Sequence, residues 1–156
     1  MVDEASENED WEDFDDVNIS VTSNDVKMCF VHQSNEMCRL YRKYCVHLIL
    51  LDATYKICKY TIPLFLLVVE TNVNFQVVAI IILEDQSSEL LTQALGIVKS
   101  WNPDIIPKYG MVDFDDAEII ALEKLFPGIE VFLCDFHQAW TRWGKIMGLI
   151  TLLTMF

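Results

Sequence analysis

The sequence predicts an α/β protein in which a sheet of largely buried strands is covered by helices. Short apolar runs alternate with segments whose apolar residues recur at helical spacing. The runs hardly alternate between apolar and polar residues, which is typical of strands covered on both faces. With 156 residues, 53% of them hydrophobic, the chain is long enough for one domain with a sizeable core.

The first half of the pattern predicts a strand, a helix and three more strands. The elements are a strand at Lys27–His32, a helix opened by Ser34, and strands at Val46–Leu51, Ile62–Thr71 and Phe75–Leu83. Ser34 begins a capping sequence, Ser-Asn-Glu-Met, and the apolar residues after it recur at helical spacing. Asn72-Val-Asn74 has the composition of a turn, so the last two strands are expected to form a hairpin.

The second half predicts helices that alternate with strands. The elements are a helix capped by Ser87 and Ser88 and ending near Trp101, a strand at Lys108–Val112, a helix capped near Asp115, a strand at Ile129–Leu133, and a last helical segment with Trp140 and Trp143. Pro127-Gly128 ends the second of these helices. Strands followed by alternating helices and strands indicate a layered α/β sheet and exclude a helical bundle or a β-sandwich.

Charge divides the chain into segments. The formal net charge is −13, but nine of the 24 acidic residues lie in residues 1–16, where there is no Lys or Arg. We expect residues 1–24 to be a disordered acidic tail, residues 25–143 to be the folded domain, and residues 144–156 to be an unassigned hydrophobic tail. The acidic tail is read as a solubilising segment, with binding of another protein as the alternative.

The cysteines and the apolar runs indicate in which cellular compartment the protein is expected. The five cysteines are an odd number without a CxxC pair, which is typical of free thiols in a reducing environment. No secretory signal opens the chain, and no apolar run approaches the length of a membrane span. The expectation is an intracellular protein without a membrane partner.

Two aspartates occupy matching places at strand ends. Asp52 follows the strand Val46–Leu51, and Asp113 follows the strand Lys108–Val112. If these strands are neighbours, the two carboxylates converge at one edge of the sheet and favour a bound divalent cation. The alternative is that each aspartate caps a helix or lies in a turn, and for Asp113 the adjacent Asp115 and Asp116 make capping equally plausible.

An ordered series of motifs resembles the catalytic domain of the Mutator-like element (MULE) transposases over roughly residues 30–143. The motifs are Leu51-Asp-Ala-Thr-Tyr-Lys56, Pro63-Leu-Phe, Trp101-Asn-Pro103, Met111-Val-Asp-Phe with Ala117-Glu118, Phe126-Pro127, Cys134-Asp-Phe-His137, Gln138-Ala-Trp and Arg142-Trp143. The resemblance implies a ribonuclease H-like fold, a mixed sheet flanked by helices. It also implies an acidic DDE triad that acts on DNA with Mg²⁺ or Mn²⁺ in the nucleus.

The resemblance assigns residues to that site. It makes Asp52 and Asp113 the first two catalytic acids and metal ligands, and it makes Cys134 and His137 the accessory CxxH element. No acidic residue follows Asp135, so the third acid has no counterpart here, and the fold is expected to be incomplete at its C-terminus. Cys134 and His137 make half of a zinc site by spacing, and no zinc is predicted because a second ligand pair is missing.

Two functions follow from this assignment. The first is a transposase domain whose complete form cleaves and joins DNA, with this chain inactive by itself. The second is a degenerate or domesticated remnant that serves as a non-catalytic protein- or DNA-interaction module. DNA is the expected partner of the full-length form, and self-association as a homo-oligomer is left open. A basic face of Arg39, Arg42 and Lys43 is read as solvated, with phosphate contact as the alternative.

Overall fold

The computed structural model describes residues 17–22, 27–54, 62–113 and 115–135. Within these ranges the chain forms seven strands and three helices. The strands are β1 (Val17–Thr22), β2 (Cys29–Ser34), β3 (Leu48–Thr54), β4 (Leu64–Glu70), β5 (Phe75–Leu83), β6 (Tyr109–Val112) and β7 (Glu130–Leu133). The helices are α1 (Asn35–Tyr44), α2 (Ser88–Trp101) and α3 (Asp116–Leu125).

The described strands form one mixed sheet in the order β1-β2-β5-β4-β3-β6-β7. The first five strands in this order, from β1 through β2, β5 and β4 to β3, are each antiparallel to the next. The pairs β3–β6 and β6–β7 are parallel, because α2 and α3 carry the chain back across the sheet before each of these strands begins. The predicted α/β fold, a mixed sheet with helices, is therefore confirmed.

Strand β1 corrects the predicted end of the acidic tail at residue 24. Val17–Thr22 pairs along its whole length with β2, from Val17 opposite Ser34 to Thr22 opposite Cys29. The segment alternates branched apolar with small polar residues, as suits an edge strand, and such a short alternation is a weak signal in sequence. Residues 1–16 and 136–156, with the predicted tails and last helix, lie outside the described residues.

The helices begin at the residues that their capping patterns predict. The Ser34 hydroxyl accepts a hydrogen bond from the Met37 N–H at 3.2 Å, and that of Ser87 accepts one from Leu90 at 3.4 Å. At α3 the Asp115 carboxylate caps Ala117 at 2.9 Å. These side chains satisfy backbone donors that have no partner within the helix.

The three described helices pack against one face of the sheet. That face carries buried side chains on successive strands, among them Val31, Ile81, Leu67 and Leu51. The closest approach is at Gly110 of β6, where an added Cβ would lie 3.0 Å from a methyl group of Leu122. Glycine at this position thus allows α3 to lie directly on the sheet.

The opposite face of the sheet presents the side chains that alternate with the core. Leu66 and Ile80 are opposite each other on this face, Leu50 of β3 lies on the same face two residues before the partner of Leu66, and all three are half-buried. Among the described residues this face has no helix against it. Asp52 follows Leu50 with the same alternation, so its carboxylate lies on this face, away from the helices.

Candidate functional site

Asp52 lies near the end of β3, in the middle of the sheet. Its backbone is opposite Leu66 of β4 in the antiparallel ladder, and the residue is half-buried. The Thr54 hydroxyl, two residues further on the same face, is 3.5 Å from an Asp52 carboxylate oxygen. The strand therefore holds the Asp52 backbone firmly and leaves its carboxylate accessible.

Asp113 stands beside Asp52 in the register of the two parallel strands. Leu50 is opposite Met111 in the β3–β6 ladder, and two residues further along each strand come Asp52 and Asp113. Parallel strands lie about 4.8 Å apart, and residues that are two apart point to the same face. The two predicted acids therefore each follow the last β3–β6 pair by two residues, at the ends of neighbouring parallel strands.

A third acid, Glu118 of α3, is buried against the same strand end, and its side chain is 0% exposed. Its Oε2 accepts a hydrogen bond from the Asp113 backbone N–H at 3.1 Å. No partner is present for Glu118 Oε1 among the described atoms. We call Asp52, Asp113 and Glu118 together the acidic edge.

The environment of Glu118 favours its protonated form. Burial, together with the nearby carboxylates of Asp113, Asp115 and Asp52, raises the pKa of this carboxyl group to about 8. The hydrogen bond from the Asp113 N–H acts in the opposite direction, because it stabilises the charged form. Of these three carboxylates, Asp113 has the largest effect on the pKa of Glu118 and Asp52 the smallest.

The residue that caps α3 is Asp115. The Asp115 carboxylate caps α3, and its backbone oxygen accepts from Glu118 at 3.2 Å. The backbone of Asp113 is instead held by the Glu118 side chain. Helix capping at this end of α3 is therefore provided by Asp115, and Asp113 belongs to the end of the strand.

Cys134 lies next to the acidic edge through its backbone. Its N–H donates to the Val112 carbonyl oxygen at 2.9 Å, one residue beyond the Leu133–Val112 pair of the β6–β7 ladder. Cys134 is a half-buried free thiol. The predicted accessory residue His137 lies outside the described residues.

The acidic edge has the donor set of a divalent cation site. Mg²⁺ is commonly held by one or two carboxylates together with waters and phosphate oxygens, and the paired Asp52 and Asp113 carboxylates fit that requirement. No group of three or more His, Cys, Asp or Glu side chains in the described ranges is arranged as a complete ligand set.

A groove with basic side chains lies between α1 and the edge strand β1. Its volume is about 500 Å³. It is lined by Asn18, Asn35, Cys38, Arg39, Arg42 and Lys43. Five of these residues form one stripe along α1, at the spacing that puts side chains on a single helix face. Within it, Arg39 Nε donates a hydrogen bond to the Glu36 carboxylate at 2.7 Å. We call the whole groove the cationic groove.

Arg42 in the groove is held in place by buried amides. Its Nε donates to Asn102 Oδ1 at 3.0 Å, and Asn102 Nδ2 donates to Gln33 Oε1 at 2.9 Å. Gln33 in turn donates to the Val78 carbonyl oxygen at 2.8 Å. A register shift in the β4–β5 ladder passes over Val78, which leaves this carbonyl available. We call Gln33, Asn102 and Arg42 the amide network.

Sequence reasoning assigned no role to Glu118, Gln33 or Asn102. A signal was present for Glu118, because it stands three and four residues before the buried Ala121 and Leu122, on the apolar stripe of α3. For Gln33 the signal is weaker, since one polar residue at the end of a strand is common. Asn102 belongs to the Trp-Asn-Pro motif, whose contacts are visible only in the structure.

Comparison with known proteins agrees with this geometry. Residues 8–132 match the family model described as zinc finger SWIM domain-containing protein 1/3, RNaseH-like domain. No curated protein matches the chain. Among the described helices, none combines the length and apolar character that a membrane span requires. The family match confirms the ribonuclease H-like fold that the motifs imply.

Proposed function

We propose that this chain, which belongs to the RNaseH-like domain family of zinc finger SWIM domain-containing protein 1/3, binds a divalent cation between Asp52 and Asp113. One observation carries the proposal: the two aspartates follow the paired residues Leu50 and Met111 by two positions each, on the same face. Carboxylates at the ends of neighbouring strands repel each other, and a cation between them relieves that repulsion.

The reaction class that suits this site is phosphodiester chemistry on nucleic acid. When bound, Mg²⁺ or Mn²⁺ would act as a Lewis acid toward a phosphate oxygen. The contribution of the protein is to hold the Asp52 and Asp113 carboxylates on neighbouring strands, with the Thr54 hydroxyl beside Asp52. The site lies at the carboxyl ends of β3 and β6.

Within this family we propose a transposase-derived domain of the MULE type. The ordered motifs from Leu51 to Trp143 support that origin, and they make DNA its partner and the nucleus its place of action. We further propose that this chain alone binds the cation but does not cut DNA. The sequence has no acid after Asp135 that could serve as the third member of the triad.

Titration with Mn²⁺, followed by electron paramagnetic resonance, tests the proposal directly. Asp52→Asn and Asp113→Asn should each weaken binding at least about tenfold, since even outer partners of a metal site cost that much when they are removed. The matched control is Asp104→Asn, an exposed aspartate in the loop before β6. Equal binding by all four proteins would exclude a cation site at the acidic edge.

A non-catalytic nucleic-acid-binding module is the second candidate, and the cationic groove favours it. The fixed Arg42 and the exposed Lys43 offer donors to phosphate oxygens along one helix face. Fluorescence anisotropy with a labelled DNA duplex tests this function. Lys43→Ala should weaken binding. It should also lower the slope of log binding constant against log salt concentration by about 0.9, the amount expected for one lost phosphate contact. The control Lys124→Ala, an exposed lysine of α3, should leave both unchanged.

A further inference from the structure

Glu118 is a buried acid at a position where packing alone favours an apolar residue. It lies on the same stripe of α3 as Ala121 and Leu122, and both of these belong to the core. Its side chain is 0% exposed, and Oε1 has no hydrogen-bond partner among the described atoms. Native proteins rarely leave a buried polar atom unsatisfied, so a specific reason for this glutamate is required.

A capping box does not provide that reason. Glu118 is the third residue of α3 after the cap Asp115, and a glutamate at this position commonly accepts from the N–H of the capping residue itself. Here Glu118 Oε2 reaches further back and accepts from the Asp113 N–H at 3.1 Å. The contact therefore holds the end of β6 in addition to the start of the helix.

The end of β6 is a point where the ladder to β3 has already stopped. The last pair between the two strands is Leu50 and Met111, so Asp113 lies beyond it. A hydrogen bond from α3 to the Asp113 backbone fixes this residue relative to a helix that is itself packed on the sheet.

We propose that Glu118 is a positioning residue, which holds the Asp113 backbone so that the Asp113 carboxylate stays beside that of Asp52. The inference rests on the proposed cation site and adds to it a residue that acts through Asp113. The family motif Ala117-Glu118 gains a physical role by this contact. Glu118 thus takes part in the site through the backbone of Asp113.

Two substitutions separate positioning from packing. Glu118→Gln keeps an acceptor oxygen of the same length, and Glu118→Met keeps the size of the side chain without an acceptor. Glu118→Met should weaken Mn²⁺ binding at least about tenfold and should speed hydrogen exchange of the Asp113 amide to a similar degree. Its melting temperature should change little, because loss of the acceptor for the Asp113 N–H is offset by removal of a buried oxygen that has no partner among the described atoms. Glu118→Gln should restore both binding and amide protection to within about threefold of wild type.

The matched control is Glu123→Met, an exposed glutamate on the same helix, which should change neither measurement. Wild-type Mn²⁺ affinity in Glu118→Met would overturn the inference. So would a Glu118→Gln variant as weak as Glu118→Met, since that result would assign the effect to charge. If Asp52→Asn and Asp113→Asn bind Mn²⁺ as wild type does, the proposed function fails, and with it the purpose of the contact, whatever the exchange data show.

Discussion

The amide network and the acidic edge contain all the buried polar side chains of the described chain, and they differ in how completely they are satisfied. Gln33 and Asn102 have hydrogen-bond partners on three elements and bind the fixed guanidinium of Arg42. One oxygen of Glu118 accepts a hydrogen bond, and the other has no partner among the described atoms. A satisfied network stabilises the fold, whereas a partly satisfied group is retained only where it serves another purpose.

Their places in the sheet agree with this difference. The amide network lies under α1 and the end of α2, where Asn102 caps the helix and accepts from Arg42. The acidic edge lies at the carboxyl ends of parallel strands, where ligand sites of α/β sheets are generally found. Burial of a polar residue therefore does not by itself distinguish a structural role from a functional one, whereas the hydrogen-bond partners of each of its atoms do.

The largest expected effect comes from breaking the amide network. Asn102→Leu leaves Gln33 Oε1 without its amide donor and Arg42 Nε without an acceptor in the core. Loss of partners for buried polar groups should lower the free energy of unfolding by about 2–4 kcal/mol. Urea denaturation measures this change. A loss below about 0.5 kcal/mol would show that the network is no more important than a surface contact.

The second effect is the pH dependence that Glu118 confers. Its pKa rises from the 4.5 of an ordinary glutamate to about 8 on folding, so the folded chain keeps a proton that the unfolded chain releases. Stability from this group is therefore present at pH 4.5 and falls as the pH rises toward 8. The stability difference between wild type and Glu118→Gln should change by at least about 2 kcal/mol between pH 5 and pH 8. A difference that is the same at both pH values would contradict the buried acid.

Much of this fold could be predicted from sequence because its signals are local. The caps Ser34, Ser87 and Asp115 and the unbroken apolar runs define the helices and most strands. The sequence could predict that Asp52 and Asp113 lie at the same edge only if β3 and β6 are neighbouring strands. The resemblance to a known family supplied that condition, and the register of Leu50 and Met111 fulfils it.

Features that depend on contacts between distant elements could not be predicted. Strand β1 has only six residues, and its side-chain pattern is mixed, so pairing with β2 determines its structure. Gln33 and Asn102 are far apart in sequence and meet because α2 crosses over β2. The orphaned oxygen of Glu118 is a property of its surroundings, which no sequence pattern records.

The smallest effect should come from a polar pair that is satisfied but exposed. Lys27 and Asp85 form an ion pair at the surface, and this contact, followed by bonds from Ser87, lowers the pKa of Asp85 to about 2. Asp85 therefore contributes stability above its ordinary pKa of 3.8, and the contribution is lost as the pH falls toward 2.

Water and salt screen such a pair, so Lys27→Met should change the melting temperature less than Asn102→Leu does. The change should become smaller in 1 M salt, where the screening length falls to about 3 Å. A salt-resistant loss as large as that of Asn102→Leu would show that the number of partners matters even without burial, and the contrast between the amide network and the acidic edge would then need another explanation.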